Sequence, residues 1–328
     1  MFAIHLGWVA RLPQRLVIVT GPAGSPLPVV LFFVLSGFLI TTLMLREEER
    51  FGRIDLSAFY ARRARRIMPC MVVFLTVLGA LAASGRITMV WRHYVLAWLY
   101  LGNAVDFTHY ERTLAHTWSL AVEEHFYLVF PVLMATLPRR WRVPVIAALA
   151  AACTPLRVAL AHSSLVGRYP VSRFSLPAAD AILVGALGAY AWRTHRARAV
   201  SVLTRWWMPL LVAGLIAVPA LLPARFDAWT YVPWVVGLAL LLGLVVARPA
   251  SRVVRALEWA PLRALGLISY GLYVWQGLFL RNGPAAPELL VQHPGLSVLA
   301  TFAAATASYV LVERRVLARK PTGVRRRP

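Results

Sequence analysis

Six titratable side chains lie within or at the ends of otherwise apolar stretches: His5, Glu123, Glu124, Arg157, Asp180 and Glu313. Holding such a group in a membrane-spanning segment is costly, so each is a candidate functional residue. The imidazole of His5 exchanges protons near neutral pH, which suits a general base or an acyl carrier. A histidine that merely caps the outer end of a helix is the competing interpretation.

Two adjacent carboxylates, Glu123 and Glu124, stand near the start of an apolar stretch. On a helix, Ser119, Glu123 and Tyr127 share one face. Two neighbouring carboxylates cannot both face lipid, so at least one should point into the protein, towards a cation or a histidine. The alternative is an interfacial pair at a helix N-terminus, where the helix dipole favours negative charge.

A run of four arginines, Arg62, Arg63, Arg65 and Arg66, precedes the apolar stretch that begins at Ile67. Guanidinium groups bind phosphate through paired hydrogen bonds, so the run indicates a site for an anionic nucleotide cofactor. Attraction to anionic lipid headgroups explains the same charge equally well.

Two further pairs of residues lie in or beside apolar stretches. Arg173 and Asp180 flank the start of one stretch, and both an ion pair between them and contacts to a polar substrate fit their position. Ser36 and Gly37 lie in the middle of another, where small residues predict close packing between helices. The remaining histidines are dispersed, and the sequence predicts no metal site.

The elements that must hold these residues are long apolar stretches. Of the 328 residues, 59% are hydrophobic before glycine is counted, against about 45–50% with glycine in soluble domains. A membrane-spanning helix needs about 20 such residues. Stretches of this kind occur at 27–45, 67–84, 119–137, 143–161, 176–192, 207–222, 231–247, 264–281 and 295–313, and Met1–Ala10 supplies half of another. The sequence therefore predicts an all-α, polytopic membrane bundle of about ten transmembrane helices.

The charge predicts orientation. The 35 Lys and Arg residues against 13 Asp and Glu give a formal net charge of +22, which in a soluble protein would suggest nucleic acid. Most of the basic residues instead fall in loops on one side of the bundle, provided that Met89–Asn103 is a surface or re-entrant segment. Basic loops face the cytoplasm, so we expect a protein of a bacterial-type cytoplasmic membrane with both termini cytoplasmic. Residues 1–316 would form the membrane domain and 317–328 a basic cytoplasmic tail.

Five segments carry a resemblance to a known family. They are Leu31–Thr41 (LFFVLSGFLIT), Phe59–Pro69 (FYARRARRIMP), His116–Pro131 (HTWSLAVEEHFYLVFP), Asp180–Gly185 (DAILVG) and Leu265–Gln276 (LGLISYGLYVWQ). Together and in this order they resemble acyltransferase family 3, polytopic membrane enzymes that acylate hydroxyl groups of sugars and other molecules. The chain departs from the family pattern at Pro28–Val30, at His125 and at Gln276.

The resemblance implies roles for particular residues. His5 matches the histidine of the family's first span and Glu123 matches the glutamate of its WSLxxE motif, so both are implied to be catalytic. The family's histidine follows an arginine that here would precede Met1, so the first span is expected to be truncated. The run Arg62, Arg63, Arg65 and Arg66 is implied to bind acyl-CoA.

The implied activity is transfer of an acyl group, expected to be acetyl, from acyl-CoA to a hydroxyl of a carbohydrate, or of a glycosylated or secondary-metabolite acceptor. Acyl-CoA would be a co-substrate, with no bound cofactor. Residues expected to contact the acceptor are Trp118, Ser119, Tyr127, Arg173 and Asp180. Two alternatives remain open: a transporter or flippase of a polar lipid-linked molecule, which would use the same intramembrane charges, and a truncated, inactive family member.

Overall fold

The computed structural model describes residues 27–104, 113–161, 175–217, 227–280 and 293–318, and these residues form helices and turns without a β-strand. The predicted all-α class is confirmed. In chain order the α-helices are α1 (Leu27–Phe51), α2 (Leu56–Ala83), α3 (Trp91–Trp98), α4 (Thr117–Thr136), α5 (Arg139–Ala161), α6 (Ser175–Ala178), α7 (Asp180–Thr194), α8 (Arg196–Leu203), α9 (Met208–Ala217), α10 (Asp227–Ala247), α11 (Arg252–Leu257), α12 (Ala260–Phe279), α13 (Pro294–Ser308) and α14 (Arg314–Ala318). A π-helical turn, Tyr309–Glu313, joins the last two.

Local sequence explains where some helices begin. The Asp55 carboxylate accepts a hydrogen bond from the Ala58 amide (2.9 Å) at the start of α2. Ser251 caps α11 in the same way through the Val254 amide (3.2 Å). Such caps satisfy amide groups that have no partner within the helix. The cap at Asp55 therefore fixes the helical phase of the arginine run that follows it.

Several helices have the length and composition of membrane spans. Among the described residues these are Leu27–Phe51, Leu56–Ala83, Arg139–Leu160 and Gly295–Ala318. The pair Arg196–Leu203 and Met208–Ala217, bent by 77°, makes a fifth if it is one broken span. The predicted count of about ten spans is not confirmed by this measure, although a helix occupies each of the nine longer apolar stretches wholly or in part.

The described part of the segment between α2 and α4, residues 84–104, contains no helix long enough to cross a bilayer. Its helix, α3, has eight residues and is about 12 Å long at about 1.5 Å per residue. The Tyr94 hydroxyl donates to the Leu75 carbonyl of α2 (2.9 Å), which ties α3 to the side of the bundle. This agrees with the prediction that Met89–Asn103 is not a span.

Helix α4 lies between two buried apolar clusters. The first draws on α1, α5, α7 and α10 and takes Trp118, Val122 and Phe130 from α4. The second draws on α2, α3, α12 and α13 and takes Leu120 from α4. Polar side chains on α4 therefore lie between the two halves of the described bundle.

Helices α1 and α7 cross at two glycines. A Cβ atom on Gly37 would collide with the Ile182 carbonyl oxygen, and one on Gly185 would collide with the Val34 carbonyl oxygen. Residues without a Cβ let helix backbones approach this closely. The predicted packing role of Gly37 is confirmed, and the crossing holds the neighbouring Ser36 in the interior.

The end of α1 is tied to three other helices. Three consecutive glutamates each pair with an arginine from a different helix: Glu47 with Arg62 of α2 (3.0 Å), Glu48 with Arg142 of α5 through both oxygens (2.7 and 3.0 Å), and Glu49 with Arg193 of α7. Glu48 and Arg142 are buried, whereas Arg62 and the Glu49 pair are exposed. This end, where α2, α5 and α8 begin with their arginines, is called the basic end below.

Candidate active site

Glu123 is a buried carboxylate, 3% exposed, with partners from three helices. Its Oε1 accepts a hydrogen bond from Ser36 Oγ of α1 (2.8 Å) and lies 3.1 Å from Arg63 Nη2 of α2. The Tyr127 hydroxyl, one turn further along α4, also donates to it. A buried carboxylate needs such donors and a compensating cation. The network therefore fixes Glu123 where α1, α2 and α4 meet.

Arg63 faces inward, unlike the rest of the arginine run. Its side chain is 15% exposed, and Nη2 contacts both Glu123 (3.1 Å) and Glu124 (3.2 Å). The guanidinium carbon also lies 2.9 Å from the centroid of the Tyr127 ring. The prediction that a carboxylate of this pair points towards a cation is confirmed. Arg63 balances two acidic groups at once.

The other three arginines of the run lie nearer the surface. Arg62 is 52% exposed and pairs with Glu47, Arg65 donates to the Ala61 carbonyl of its own helix (3.1 Å), and Arg66 is exposed. The run is thus divided into one inward cation and three cations at the basic end. Phosphate binding by the run stays a prediction.

Trp118 and Ser119 are buried on α4 close to Glu123. The Trp118 ring packs edge-on against Phe33 of α1, with ring centroids 6.3 Å apart. The Ser119 hydroxyl hydrogen-bonds the Tyr273 hydroxyl of α12. Trp118 and Tyr127 therefore contact residues of α1 and the carboxylate, whereas Ser119, one turn before Glu123, contacts α12.

Asp180 forms a second buried charge centre. It pairs with Arg157 of α5, a partner that the sequence analysis did not assign to it. Arg173, the expected neighbour of Asp180, lies outside the described residues, and so does His5. The roles of Arg173 and His5 stay predictions.

A polar bridge connects α4 to α6. The His125 Nδ1 atom lies 2.6 Å from Ser175 Oγ, and the Asn103 amide donates to the same hydroxyl (2.7 Å). Glu313 is buried in the π turn and accepts a hydrogen bond from Ser308 (3.0 Å). Among the described residues, no three His, Cys, Asp or Glu side chains form a group that could hold a metal ion.

Sequence reasoning missed the polar role of Ser36, which it treated as a packing residue. A usable signal was present, because a hydroxyl in the middle of a span has no water to bond and needs a protein partner. Ser36 and Tyr127 are also hydrogen-bonded to each other. The two hydroxyls and Glu123 thus form one connected unit.

This arrangement suits chemistry in which negative charge develops on an oxygen. The Arg63 guanidinium and the Tyr127 hydroxyl are donors already held in place by packing, and such preorganised donors stabilise a developing oxyanion. Glu123 can orient a base or accept a proton at the same point. Buried apolar clusters flank the centre on both sides, and electrostatic interactions are stronger in such an environment than in water.

The structure is thus helical, with several helices long and apolar enough to cross a membrane and a buried carboxylate–arginine centre between them. The sequence profile of acyltransferase family 3, described as an acyltransferase domain, matches residues 2–312, and the chain belongs to this family.

Two relatives from Staphylococcus aureus are similar to the chain. "O-acetyltransferase OatA" of strain NCTC 8325 is 27% identical over 316 residues, which are 89% of this chain and 52% of that protein. "Putative O-acetyltransferase SACOL0978" of strain COL is 41% identical over 125 residues, which are 35% of this chain and 21% of that protein. The chain therefore spans about half or less of the length of these relatives. No solved structure matches it.

Proposed function

We propose that the chain is an O-acyltransferase that moves an acetyl group from acetyl-CoA to a hydroxyl of a carbohydrate, or of a glycosylated or secondary-metabolite acceptor. The observation that carries the proposal is the buried unit of Glu123, Arg63, Ser36 and Tyr127. Family membership and the names of the two relatives, which both contain the term O-acetyltransferase, support the acetyl group and the oxygen acceptor.

In the proposed reaction the acceptor oxygen attacks the carbonyl carbon of the thioester, and the carbon–sulfur bond breaks. The hydroxyl proton passes to a base and finally to the sulfur of CoA. His5 is the proposed base, or carries the acyl group between donor and acceptor, and Glu123 orients it. Arg63 and Tyr127 donate to the carbonyl oxygen as negative charge develops on it.

The donor is proposed to bind at the basic end. Arg62, Arg65 and Arg66 would hold the phosphates of acyl-CoA through charge-assisted hydrogen bonds. Arg63 is left out of this set, because its Nη2 already contacts both carboxylates. Its buried Nε, which has no hydrogen-bond partner among the described residues, is the atom proposed to donate to the thioester carbonyl. This assignment requires the basic end and both termini to face the cytoplasm of a bacterial-type cell, where acyl-CoA is found.

The acceptor is proposed to bind against α4. Trp118 and Tyr127 offer aromatic rings to the apolar face of a sugar, and Ser119, Arg173 and Asp180 offer polar contacts. The reaction as proposed proceeds without a resident cofactor or a metal ion, and nucleic acid is not a partner.

The test is incubation of membranes that contain the protein with isotopically labelled acetyl-CoA and a panel of hydroxyl acceptors, followed by mass analysis of the products. We expect an acetylated product with the wild type and none with Glu123→Gln, at equal amounts of membrane-inserted protein. Glu258→Gln is the matched control, because it makes the same chemical change at an exposed residue. Full activity in Glu123→Gln, or movement of the acceptor across the membrane without acetyl-CoA, would contradict the proposal.

A further inference from the structure

The buried pair of Arg157 and Asp180 is unevenly satisfied. Arg157 is 1% exposed, and its Nη2 donates to Asp180 Oδ2 and to the Pro177 carbonyl (2.8 Å). The other oxygen of Asp180 accepts a hydrogen bond from the Ala181 amide (2.9 Å). Both oxygens of the carboxylate therefore have a partner.

The guanidinium of Arg157, in contrast, retains free donors. Its Nε and Nη1 atoms are buried, and neither has a hydrogen-bond partner among the residues that the structure describes. A guanidinium carries five N–H donors, so about three of them are unfilled. The Tyr231 ring lies over the group, 4.2 Å from its central carbon, and covers a face rather than the donors in the plane. Buried donors are almost always paired, so free ones indicate an oxygen that a ligand or water supplies.

The position of Arg157 along α5 favours binding of the acceptor over binding of the phosphate groups of acetyl-CoA. Helix α5 begins at Arg139 at the basic end, and Arg157 lies about 27 Å further along at about 1.5 Å per residue. Phosphate groups held by arginines at the basic end are too far away to fill its donors. Of the two substrates of the proposed reaction, the acceptor therefore fits this position better.

Helix α6 connects this pair to the carboxylate centre. The Pro177 carbonyl of α6 accepts from Arg157, and Ser175 of the same helix hydrogen-bonds His125, the residue that follows Glu124. A ligand that touches Arg157 therefore lies beside the helix that contacts α4.

We infer that Arg157, oriented by Asp180, binds an uncharged oxygen of the acceptor and determines acceptor specificity, which rests on the proposed function. Asp180 neutralises the charge of Arg157, so the free N–H groups suit a hydroxyl, ring or carbonyl oxygen better than an anion. The bound oxygen is distinct from the hydroxyl that is acetylated, because that hydroxyl must reach the Glu123 centre.

The first experiment uses the wild-type protein with acceptors that each lack one non-reacting hydroxyl or other oxygen. Loss of the oxygen that Arg157 binds should raise the KM for the acceptor by about tenfold or more, because a hydrogen bond to a charged group is lost and the buried donor is left unpaired. The KM for acetyl-CoA should not change. If every such analogue has the KM of its parent, the inference is overturned, and this result needs no variant.

The second experiment uses Arg157→Lys, which keeps the cation and its pairing with Asp180 but removes the Nε and Nη1 donors. The KM for the parent acceptor should rise by about tenfold or more. The KM for the acceptor that lacks the bound oxygen should not rise further in this variant, because the substitution and the missing oxygen remove the same hydrogen bond. Arg193→Lys is the control, because it makes the same change in the exposed pair with Glu49.

A neutral double variant, Arg157→Gln with Asp180→Asn, separates binding from structure. If the pair only stabilises the fold, this variant should have wild-type acceptor kinetics, whereas our inference requires the raised KM to persist. Wild-type KM in folded Arg157→Lys or in the double variant overturns it. Failure of the wild type to acetylate any hydroxyl acceptor would instead count against the proposed function.

Discussion

Replacing Arg63 with glutamine tests the division of the arginine run. The change leaves two adjacent carboxylates without a cation, at a site where the Glu123 side chain is 5% exposed. Removing one partner of a buried ion pair costs about 3–5 kcal/mol. Loss of the contact between Arg63 and Glu124 adds less to this cost, because the Glu124 side chain is more exposed to solvent. If about 3 kcal/mol of this cost raises the free energy of the transition state relative to the bound substrates, kcat falls by about a hundredfold.

The assay is steady-state acetyl transfer with varied acetyl-CoA, together with thermal unfolding in detergent. We expect Arg63→Gln to lower kcat by about a hundredfold or more while the KM for acetyl-CoA stays unchanged. Arg66→Gln is the matched control on the same helix, and it should raise the KM for acetyl-CoA with little effect on kcat. Adding Glu124→Gln to Arg63→Gln removes one uncompensated carboxylate and should recover part of the lost thermal stability.

One kinetic result would contradict the role assigned to Arg63. If Arg63→Gln raises the KM for acetyl-CoA at constant kcat, and the effect disappears with a donor that lacks the 3′-phosphate, then Arg63 binds phosphate. The contacts to Glu123 and Glu124 would then be incidental to catalysis, and the undivided run would be the donor site that the sequence alone predicted.

Two predictions concern how the helices are held. Gly37→Ala places a Cβ against the Ile182 carbonyl oxygen and should destabilise the protein by about 1–3 kcal/mol. Gly188→Ala is the control, because a Cβ there meets only a ring carbon of Phe38 at 3.7 Å. Equal melting temperatures of the two alanine variants in detergent would contradict this prediction. Glu48→Gln leaves a buried arginine unpaired and should cost about 3–5 kcal/mol, against about 0–1 kcal/mol for Glu49→Gln in its exposed pair. Denaturation of both glutamine variants at the wild-type temperature would show that the buried pair does not stabilise the fold.

Features that depend on one helix could be predicted from the sequence. The apolar stretches predict where helices lie, because burial of apolar side chains dominates their placement. The spacing of Glu123 and Tyr127 predicts a shared face, and the structure joins them by a hydrogen bond. Gly37 was predicted as a packing residue because a helix without a Cβ at one point invites close approach.

Features that depend on two helices could not be predicted in the same way. The four arginines of the run point in several directions around α2, and only the packing of α2 against α4 decides that Arg63 faces the carboxylates. The sequence left open whether Asp180 pairs with Arg173 or contacts a substrate, and it did not indicate Arg157 of α5, with which the structure pairs Asp180. Such pairings are set by the three-dimensional arrangement of helices, which one sequence does not specify.

The three consecutive glutamates at the end of α1 have a mechanical consequence. Successive residues of an α-helix point about 100° apart, so Glu47, Glu48 and Glu49 bind their arginines in three directions. These contacts resist rotation of α1 about its own axis. Ser36 lies about three turns away on the same helix, so these contacts also influence the direction in which its side chain points. The geometry at Glu123 therefore depends in part on contacts at the end of α1, chiefly the buried pair of Glu48 and Arg142, and not only on residues of the site.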